Sequence, residues 1–250
     1  MSNFPAGAFD SAFGRARRGA IEVLRHALPQ RCELCAAASG NALLCAACAR
    51  ALPRLGAGCP VCALPTLSGE VCGSCLAHPP PFDATVAAYA YVFPVDRLVQ
   101  AFKYHGRLCL ADWCAGAIDD QRRCGPRRLP DRLLALPLSS ERQRERGFNQ
   151  AAEIARLLVA RTGVSLLARG VGRVRAGPPQ AALPWSARAH NVRAAFACDA
   201  DVSGLSLAVI DDVMTTGASL SELARTLKAA GATRVENWVV ARTLPPAGAA

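Results

Sequence analysis

The stretch LAVIDDVMTTGASLSE, Leu207 to Glu222, joins an apolar run to two adjacent acids and then to a small, hydroxyl-rich turn. The apolar run predicts a buried strand, and Ser219 to Ala230 has the pattern of a helix that ends at Gly231. Asp211 and Asp212 then project at the carboxyl end of the strand. Ligands of parallel sheets bind at this end of the strands, so the turn is a candidate binding site.

The composition of this turn suits an anion. Small residues let backbone N–H groups approach a phosphate, hydroxyls donate further hydrogen bonds, and the helix N-terminus adds a partial positive charge. Two carboxylates beside a phosphate repel it unless they address sugar hydroxyls or a divalent cation. A ribose 5-phosphate satisfies both requirements, and an ordinary strand-to-helix turn is the alternative.

The rest of the chain after the cysteine-rich region alternates between two kinds of pattern. Short apolar runs predict strands at Val86–Phe93, Leu133–Leu138, Leu205–Ile210 and Val235–Ala241. Helical patterns lie at Val95–Phe102, Leu108–Ile118, Gln150–Arg161 and Ser219–Ala230, with a separate one at Ser11–Leu28. Strands that alternate with helices predict an α/β fold, a parallel sheet with helices on both faces.

Eight of the twelve cysteines form four CxxC knuckles, and the second pair of knuckles repeats the first at an offset of 27 residues. This constant offset indicates an internal duplication. Two CxxC turns supply the four thiolates that zinc prefers in a structural site, so the array predicts two zinc ribbons. The predicted ligands are Cys32, Cys35, Cys45 and Cys48 in the first ribbon and Cys59, Cys62, Cys72 and Cys75 in the second.

Other interpretations of these cysteines stay open. A secreted module would use them as disulfides, a single CxxC can be a redox pair, and a cross-braced arrangement would pair the first knuckle with the third. The duplication favours sequential pairing. Four thiolates leave no open position for a catalytic water, so the zinc is expected to be structural. The other cysteines are predicted to be buried thiols: Cys109, Cys114, Cys124 and Cys198.

The stiff segment His78–Phe82, with three consecutive prolines, marks the predicted domain boundary. It divides the chain into an N-terminal helical segment at 1–30, a double zinc ribbon at 31–78 and an α/β domain at 82–250. No apolar stretch reaches the ~20 residues of a spanning helix. Since the N-terminus also lacks the apolar block of a secretory signal, we expect a cytoplasmic protein.

The net charge of +10 comes almost entirely from arginine, because Lys103 and Lys228 are the only lysines. Six arginines and no acid lie between Arg161 and Arg193. The planar guanidinium suits phosphates, and a patch of one sign concentrates an anionic ligand. Nucleic acids and phosphorylated metabolites are both open as ligands, and a solvated basic loop is the alternative.

The segment VIDDVMTTGAS, Val209 to Ser219, resembles the PRPP-binding signature of type I phosphoribosyltransferases. Three further segments, LPLSSERQRERGFNQAAEIA, GPPQAALPWSARAHNVRAAF and AFKYHGR, look like the ComF family of competence-associated phosphoribosyltransferase-like proteins, also called ComF/GntX. That family likewise joins a cysteine-rich ribbon module to a transferase-like domain. The resemblance covers essentially the whole chain after Arg31. It implies the type I phosphoribosyltransferase fold, PRPP binding and, for some members, a role in the uptake of transforming single-stranded DNA.

The resemblance also implies roles for residues of the signature. Asp211 and Asp212 would contact the ribose hydroxyls, directly or through Mg²⁺, and a role of Asp212 as a local base is the alternative. Lys103 is expected to reach a phosphate from its helix end, although an exposed lysine is the commoner case. The 5-phosphate would bind Thr215, Thr216, Gly217, Ala218 and Ser219.

The loop after Leu138 takes the place of the family's pyrophosphate loop, with Arg146 and Gly147 as its expected contacts. The predicted catalytic residues are therefore Asp211, Asp212 and Arg146. Arginine at this place neutralises the charge of the leaving group. The alternative, in which Arg142, Arg144 and Arg146 are merely exposed, stays open.

The acid-free segment contains Gly177-Pro178-Pro179 and is interpreted as a flexible loop that closes over a ligand. Its candidate contacts are Gln180, Arg188 and Asn191, for pyrophosphate, an acceptor or DNA. His105 and His190 are acid–base candidates by residue type alone, and ordinary surface histidines are the alternative.

The leading hypothesis is a phosphoribosyltransferase that binds PRPP with Mg²⁺, carries two structural zinc ions and acts on an unidentified acceptor in DNA uptake. The alternative is a non-catalytic single-stranded DNA-binding competence factor that uses the PRPP site only for sensing or as scaffold. An aromatic content of 6% gives it few platforms on which bases can stack. Expected partners are PRPP, single-stranded DNA and proteins of the competence machinery, and the ribbons alone could serve as a protein-interaction surface.

Overall fold

A computed structural model describes residues 30–125, 128–174 and 194–245. The chain divides into two compact units, Met1–Leu52 and Pro53–Ala250. The helix predicted at Ser11–Leu28 lies outside the described residues.

The first unit contains the first set of four cysteines. Strand β1, Gln30–Arg31, pairs in antiparallel fashion with β2, Ala38–Gly40. Helix α1, Ala46–Arg50, begins directly after Cys45. The first CxxC knuckle, Cys32–Cys35, thus lies between the two strands of this pair, and the second knuckle follows β2.

The second unit contains the second set of cysteines and an α/β arrangement. Its elements begin with α2, Gly73–Ala77, which directly follows Cys72. In chain order there follow β3 (Ala84–Ala90), α3 (Val95–Tyr104), α4 (Leu110–Arg123), β4 (Arg132–Ala135), α5 (Ser140–Arg146), α6 (Gln150–Thr162), β5 (Val171–Arg173), β6 (Phe196–Cys198), β7 (Ser206–Met214), α7 (Ala218–Ala229) and β8 (Arg234–Arg242).

Four strands form one parallel sheet in the order β3-β8-β7-β4. Each of these strands overlaps one of the four predicted apolar runs, and helices α3, α4, α6 and α7 overlap the predicted helices. The parallel sheet of the predicted α/β fold is therefore confirmed. Strands β5 and β6 form a separate antiparallel pair.

Both faces of the sheet are covered. On one face Leu207 and Val209 of β7 pack in a buried cluster with Leu223 and Leu227 of α7. Alternate residues of a strand point to opposite faces, so Ala208 faces the other way. Helices α4 and α6 pack against each other and contact the strands as well, α4 on β3 and β8 and α6 on β4 and β7. The predicted arrangement with helices on both faces is confirmed.

The division into compact units falls before the second ribbon, whereas the sequence placed a boundary after it, at His78–Phe82. The reason lies in the backbone of the segment that leads into the ribbon. The Ala90 N–H donates to the Pro53 carbonyl at 2.8 Å, and the Thr85 N–H donates to the Pro60 carbonyl at 3.1 Å. These bonds tie the second ribbon to β3. The segments 1–30, 31–78 and 82–250 remain a prediction about sequence modules.

No helix among the described residues has both the length and the apolar character needed to cross a membrane. The longest of them, α4, has 14 residues and carries aspartates in its interior and two arginines at its end.

Candidate functional site

A crevice lies where β4 and β8, the two neighbours of β7, stop pairing with it at different residues. Pairing of β4 with β7 stops at Ala135 and Ile210, whereas pairing of β8 with β7 continues to Arg242 and Met214. Strand β7 is thus longer than the predicted Leu205–Ile210. The two acids lie within its last part, where the strand has lost its β4 neighbour, and they line the crevice.

The acidic pair is held by hydrogen bonds and a buried ion pair. The Asp212 carboxylate lies 2.9 Å from Lys103 Nζ, and its side chain is only 7% exposed. The Asp212 N–H donates to Asp211 Oδ1 at 2.9 Å. Burial raises the pKa of Asp211 to about 7, and the neighbouring charge of Asp212 adds to this effect while Lys103 opposes it. Burial opposes the charged form of Lys103, but the charge and hydrogen bond of Asp212 together with the charge of Asp211 outweigh it and raise the lysine pKa.

The turn after β7 brings a helix N-terminus to the same crevice. Gly217 has a φ of 81° and precedes α7 as its N-cap. A Cβ on this glycine would lie 2.6 Å from Met214 Cε, so both its backbone conformation and its surroundings favour glycine. The first turn of α7 contains no acid. The crevice is lined here by Thr215, Gly217, Ala218 and Ser219.

A further part of the wall comes from the segment after Leu138, which is a helix and not the predicted loop. Ser139 caps the start of α5 by accepting a hydrogen bond from the Arg142 N–H at 3.3 Å, and Gly147 ends it with a φ of 76°. Arg146 lies at its last position. Its Nη1 donates to Gln150 Oε1 at 3.0 Å, and its Nη2 donates to the Tyr104 hydroxyl at 3.2 Å.

Two buried donors on this wall have no partner among the described residues, Arg146 Nε and Gln150 Nε2. Gln150 is only 2% exposed. A buried donor that makes no hydrogen bond costs about 1–3 kcal/mol. Both side chains line the crevice, so an anionic ligand there would satisfy donors that the protein leaves unpaired.

Positive charge exceeds negative charge among the residues that line the crevice. Four of them are cations, Lys103, Arg142, Arg146 and Arg173, and two are acids. Burial lowers the pKa of Arg173, and the nearby charge of Arg142 lowers it further. Crowded cations of this kind favour a ligand that carries several negative charges.

Most of the predicted site residues come together in this crevice. Those that line it are Lys103, Arg146, Asp211, Asp212, Thr215, Gly217, Ala218 and Ser219. Among the described residues, Thr216 and Gly147 are not part of the lining. The Thr216 hydroxyl instead accepts a hydrogen bond from the Ala218 N–H at 3.3 Å, and Gly147 ends α5. His105 is exposed at the end of α3. Gln180, Arg188, His190 and Asn191 lie outside the described residues.

Sequence reasoning missed several residues of the lining. Gln150 lies four residues after Arg146, but Gly147 ends α5 between them, so helical spacing gives no signal for Gln150. Arg142 was left open as an exposed arginine. Tyr91, Asn149 and Arg173 have no signal of their own in the sequence, because only the fold brings them to this place.

The two sets of cysteines form two clusters. Within each cluster the sulfur atoms all lie within 4.8 Å of one another, and the pairing is sequential, as the duplication predicted. The sulfurs of Cys35 and Cys45 are 3.7 Å apart, and those of Cys62 and Cys72 are 3.6 Å apart. A tetrahedral ion with Zn–S bonds of about 2.3 Å requires about 3.8 Å between sulfurs. The clusters therefore fit zinc.

The duplication is visible in the backbone as well. Ala36 and Ala63 occupy equivalent positions and share a left-handed φ, 58° and 59°. Burial disfavours the thiolate of Cys59, but backbone hydrogen bonds outweigh this and lower its pKa to about 7. The equivalent Cys32 is lowered in the same way to a pKa of about 6. The lowered pKa values favour the thiolate form at these two positions, whereas burial raises the pKa of Cys62 in the second cluster to about 11.

The four remaining cysteines take no part in these clusters. The prediction that they are buried thiols is confirmed for Cys114 and wrong for Cys124, which is exposed. Cys124 follows the last residue of α4, where the helix end meets solvent. Cys109 and Cys198 are half-buried.

A family model described as a double zinc ribbon domain matches residues 23–76. A protein named DNA utilization protein YhgH from Salmonella typhimurium is 35% identical over 80% of this chain and 91% of its own length. The protein of the same name from Escherichia coli is 32% identical over 87% of this chain and 99% of its own. Competence protein F of Haemophilus influenzae is 30% identical over 68% of this chain and 78% of its own.

Among solved structures, one described as the allosteric regulatory enzyme of purine biosynthesis matches 52% of this chain and 25% of its own, with 22% identity and a TM-score of 0.32. The chain belongs to the ComF family, the family of Competence protein F and DNA utilization protein YhgH, with a double zinc ribbon at its N-terminal end.

Proposed function

We propose that the crevice binds PRPP and that the protein transfers the phosphoribosyl group to an acceptor in the uptake or use of DNA. The observation that carries this proposal is that Asp211 and Asp212 line one crevice together with a helix N-terminus and a cluster of cations. A ligand that fits this lining needs hydroxyls for the acids and phosphates for the helix N-terminus and for the cations. PRPP has a 5-phosphate, two ribose hydroxyls and a diphosphate in this order.

The 5-phosphate would bind at the start of α7, to the turn that includes Thr215 and Ser219. Backbone N–H groups and the helix dipole stabilise an anion at such a place. The absence of an acid from the first turn of α7 supports this assignment, since a carboxylate there would compete with the phosphate.

The diphosphate would bind to the part of the wall that α5 forms. Arg146 is oriented by Gln150 and Tyr104, so two of its nitrogen atoms are held while Nε is left for a ligand. In the transfer, the bond from C1 of the ribose to the diphosphate oxygen breaks while the acceptor bonds to C1 from the other face. Arg146 and Arg142 would neutralise the charge that develops on the leaving diphosphate.

Asp211 and Asp212 would hold the ribose hydroxyls between these two sites. A Mg²⁺ ion bound with PRPP would be held on the same carboxylates and would neutralise diphosphate charge. Oxygen ligands of this kind suit Mg²⁺. Lys103 already neutralises the charge of Asp212. The difference in PRPP affinity with and without Mg²⁺ therefore measures how much Mg²⁺ takes over this role of Lys103.

The test is calorimetric titration of the zinc-loaded protein with PRPP, ribose 5-phosphate and pyrophosphate, with and without Mg²⁺. Arg146→Met is expected to weaken PRPP and pyrophosphate at least about tenfold and to leave ribose 5-phosphate binding nearly intact, because a charged hydrogen bond contributes about 1.5–3 kcal/mol. Ser219→Ala is expected to weaken PRPP and ribose 5-phosphate together. Arg144→Met is the matched control, because Arg144 lies exposed on the same helix.

A wild-type protein that binds none of the three ligands would contradict the proposal. Single-stranded DNA would then become the leading ligand, in agreement with the names of the relatives and with the net charge of +10. Affinity for DNA that falls steeply with salt would support that function, because each neutralised phosphate releases counterions.

A further inference from the structure

We propose that Arg242 is a positioning residue that couples zinc in the second ribbon to the phosphate-binding turn. The inference rests on the proposed function, because it assigns the turn before α7 to a phosphate. It concerns the knuckle Cys59–Cys62 at one end and the segment Met214–Ser219 at the other.

The Arg242 side chain bridges these two segments. Its Nε donates to the Cys62 carbonyl at 2.9 Å. Its Nη1 donates to the Met214 carbonyl at 3.1 Å and to the Thr243 carbonyl at 2.7 Å, and it also donates to the Thr215 carbonyl. Arg242 is only 4% exposed. One buried guanidinium thus holds the carbonyl of a zinc ligand and the carbonyl of the first residue of the turn.

A second connection runs beside the first. The Thr85 hydroxyl donates to the Val61 carbonyl at 2.6 Å and lies 4.0 Å from Met214 Sδ. The terminal methyl group of Met214 in turn lies against Gly217, in the space that a Cβ would need. The zinc knuckle therefore contacts the turn through a hydrogen-bonded arginine and through a packed methionine.

Through these contacts, the occupancy of the zinc site affects the conformation of the turn. An occupied four-cysteine site fixes the backbone of its knuckles, and in this knuckle the carbonyls of Pro60, Val61 and Cys62 each accept a hydrogen bond from β3 or β8. When the metal leaves, the knuckle relaxes and Arg242 loses a fixed acceptor. Buried arginine donors without acceptors are costly, so the side chain changes its partners and the turn loses its support.

The duplication supplies a matched control. Cys75 in the second ribbon corresponds to Cys48 in the first, since they lie at the offset of 27 residues. Cys75→Ser and Cys48→Ser each remove one thiolate from one zinc site. Only Cys75 belongs to the site whose knuckle is held by Arg242. A difference between the two variants therefore reports on the connection and not on loss of zinc as such.

The experiment measures two properties of the full-length chain in wild type, Cys75→Ser, Cys48→Ser and Arg242→Lys. One is the Kd for PRPP by calorimetry, and the other is hydrogen exchange of the peptide that contains Thr215–Ser219, which needs no ligand. We expect Cys75→Ser and Arg242→Lys to raise the Kd about tenfold, the order of a typical coupling between sites, and to speed the exchange. Cys48→Ser is expected to leave both near wild type. Arg242→Lys should keep its full zinc content by elemental analysis.

Equal effects of Cys75→Ser and Cys48→Ser on both measurements would overturn the coupling. If Arg242→Lys fails to fold, the comparison of Cys75→Ser with Cys48→Ser still decides the coupling, and unchanged exchange in Cys75→Ser would count against it. Thr85→Val then tests the second connection, through the Val61 carbonyl. If wild type binds no PRPP, the proposed function fails, while the exchange measurement still decides the coupling. If wild type binds PRPP and exchange is the same in all variants, the inference fails and the proposed function stands.

Discussion

Lys103 on α3 and Asp212 on β7 form a buried ion pair at 2.9 Å inside the candidate site. The pair balances one of the two acids before any ligand binds. Breaking a buried pair by removing one partner leaves an uncompensated charge. The two residues are 109 positions apart in the chain, so only the folded sheet brings them together.

Lys103→Met is expected to lower the free energy of unfolding by about 3 kcal/mol, because Asp212 is left buried without its cation. Chemical denaturation at pH 8 measures this value. The double variant Lys103→Met/Asp212→Asn removes both charges and should recover most of the loss. A single variant as stable as wild type would show that solvent reaches Asp212 and screens it.

Asp211→Asn should change stability in a pH-dependent way. The pKa of Asp211 is raised to about 7 by burial and by Asp212, so the folded state binds its proton more tightly than the unfolded state. Stability that depends on this group is therefore present at low pH and is lost as pH rises toward 7. We therefore compare the Tm of the variant minus the Tm of wild type at two pH values. This difference should be more positive at pH 8 than at pH 6.

Asp131→Asn is the control for this experiment. Hydrogen bonds from Ser206 lower the pKa of Asp131, so its carboxylate stays charged through the same pH range. Its effect on Tm should not change between pH 6 and pH 8. If Asp211→Asn behaves in the same way as this control, the raised pKa is wrong.

Gly217→Ala should reduce both stability and affinity for PRPP. A left-handed alanine costs roughly 1–2 kcal/mol, and the new Cβ would also meet Met214 Cε. Gly163→Ala is a matched control, because Gly163 has a φ of 75° but open space around its Cβ position. Thermal unfolding and calorimetry compare the two. A loss of affinity in both variants would mean that backbone strain anywhere in the unit disturbs the site.

Elemental analysis should find two zinc ions in each wild-type chain. Cys32→Ser/Cys45→Ser changes only the first cluster and should retain one ion, because the clusters are sequential. In a cross-braced arrangement the same double variant would damage both sites and retain none. Cys109→Ser should keep both ions, since Cys109 is no part of either cluster.

The sequence predicted the four strands of the sheet because each is a short apolar run, and a strand buried on both faces reads in this way. It predicted the zinc clusters because their ligands lie close together in the chain and repeat. Asp211 and the turn after it were found for the same reason, since they form one continuous segment. The length of β7 was missed, because it depends on β8 continuing beyond the end of β4.

The rest of the site is made by side chains that are distant in sequence. The sequence suggested Lys103 as a phosphate contact, yet its partner in the structure is Asp212. No sequence pattern predicts the role of Arg242, because an arginine at the end of an apolar strand is common. Its four carbonyl acceptors come from segments up to 180 residues away. Propensity and spacing describe local structure, and this bridge is not local.

The two ribbons are copies of one sequence unit, and the second copy accepts hydrogen bonds from Arg242 and Thr85. The first copy can be exchanged for another module without removing an acceptor from Arg242 or Thr85. The second copy supplies those acceptors, so a recombination event that cuts at His78–Phe82 would remove one of the four carbonyl acceptors of Arg242 and the carbonyl acceptor of the Thr85 hydroxyl. Exchange of the second ribbon therefore disturbs buried hydrogen bonds of β3 and β8, even though the proline-rich segment of the sequence lies behind both ribbons.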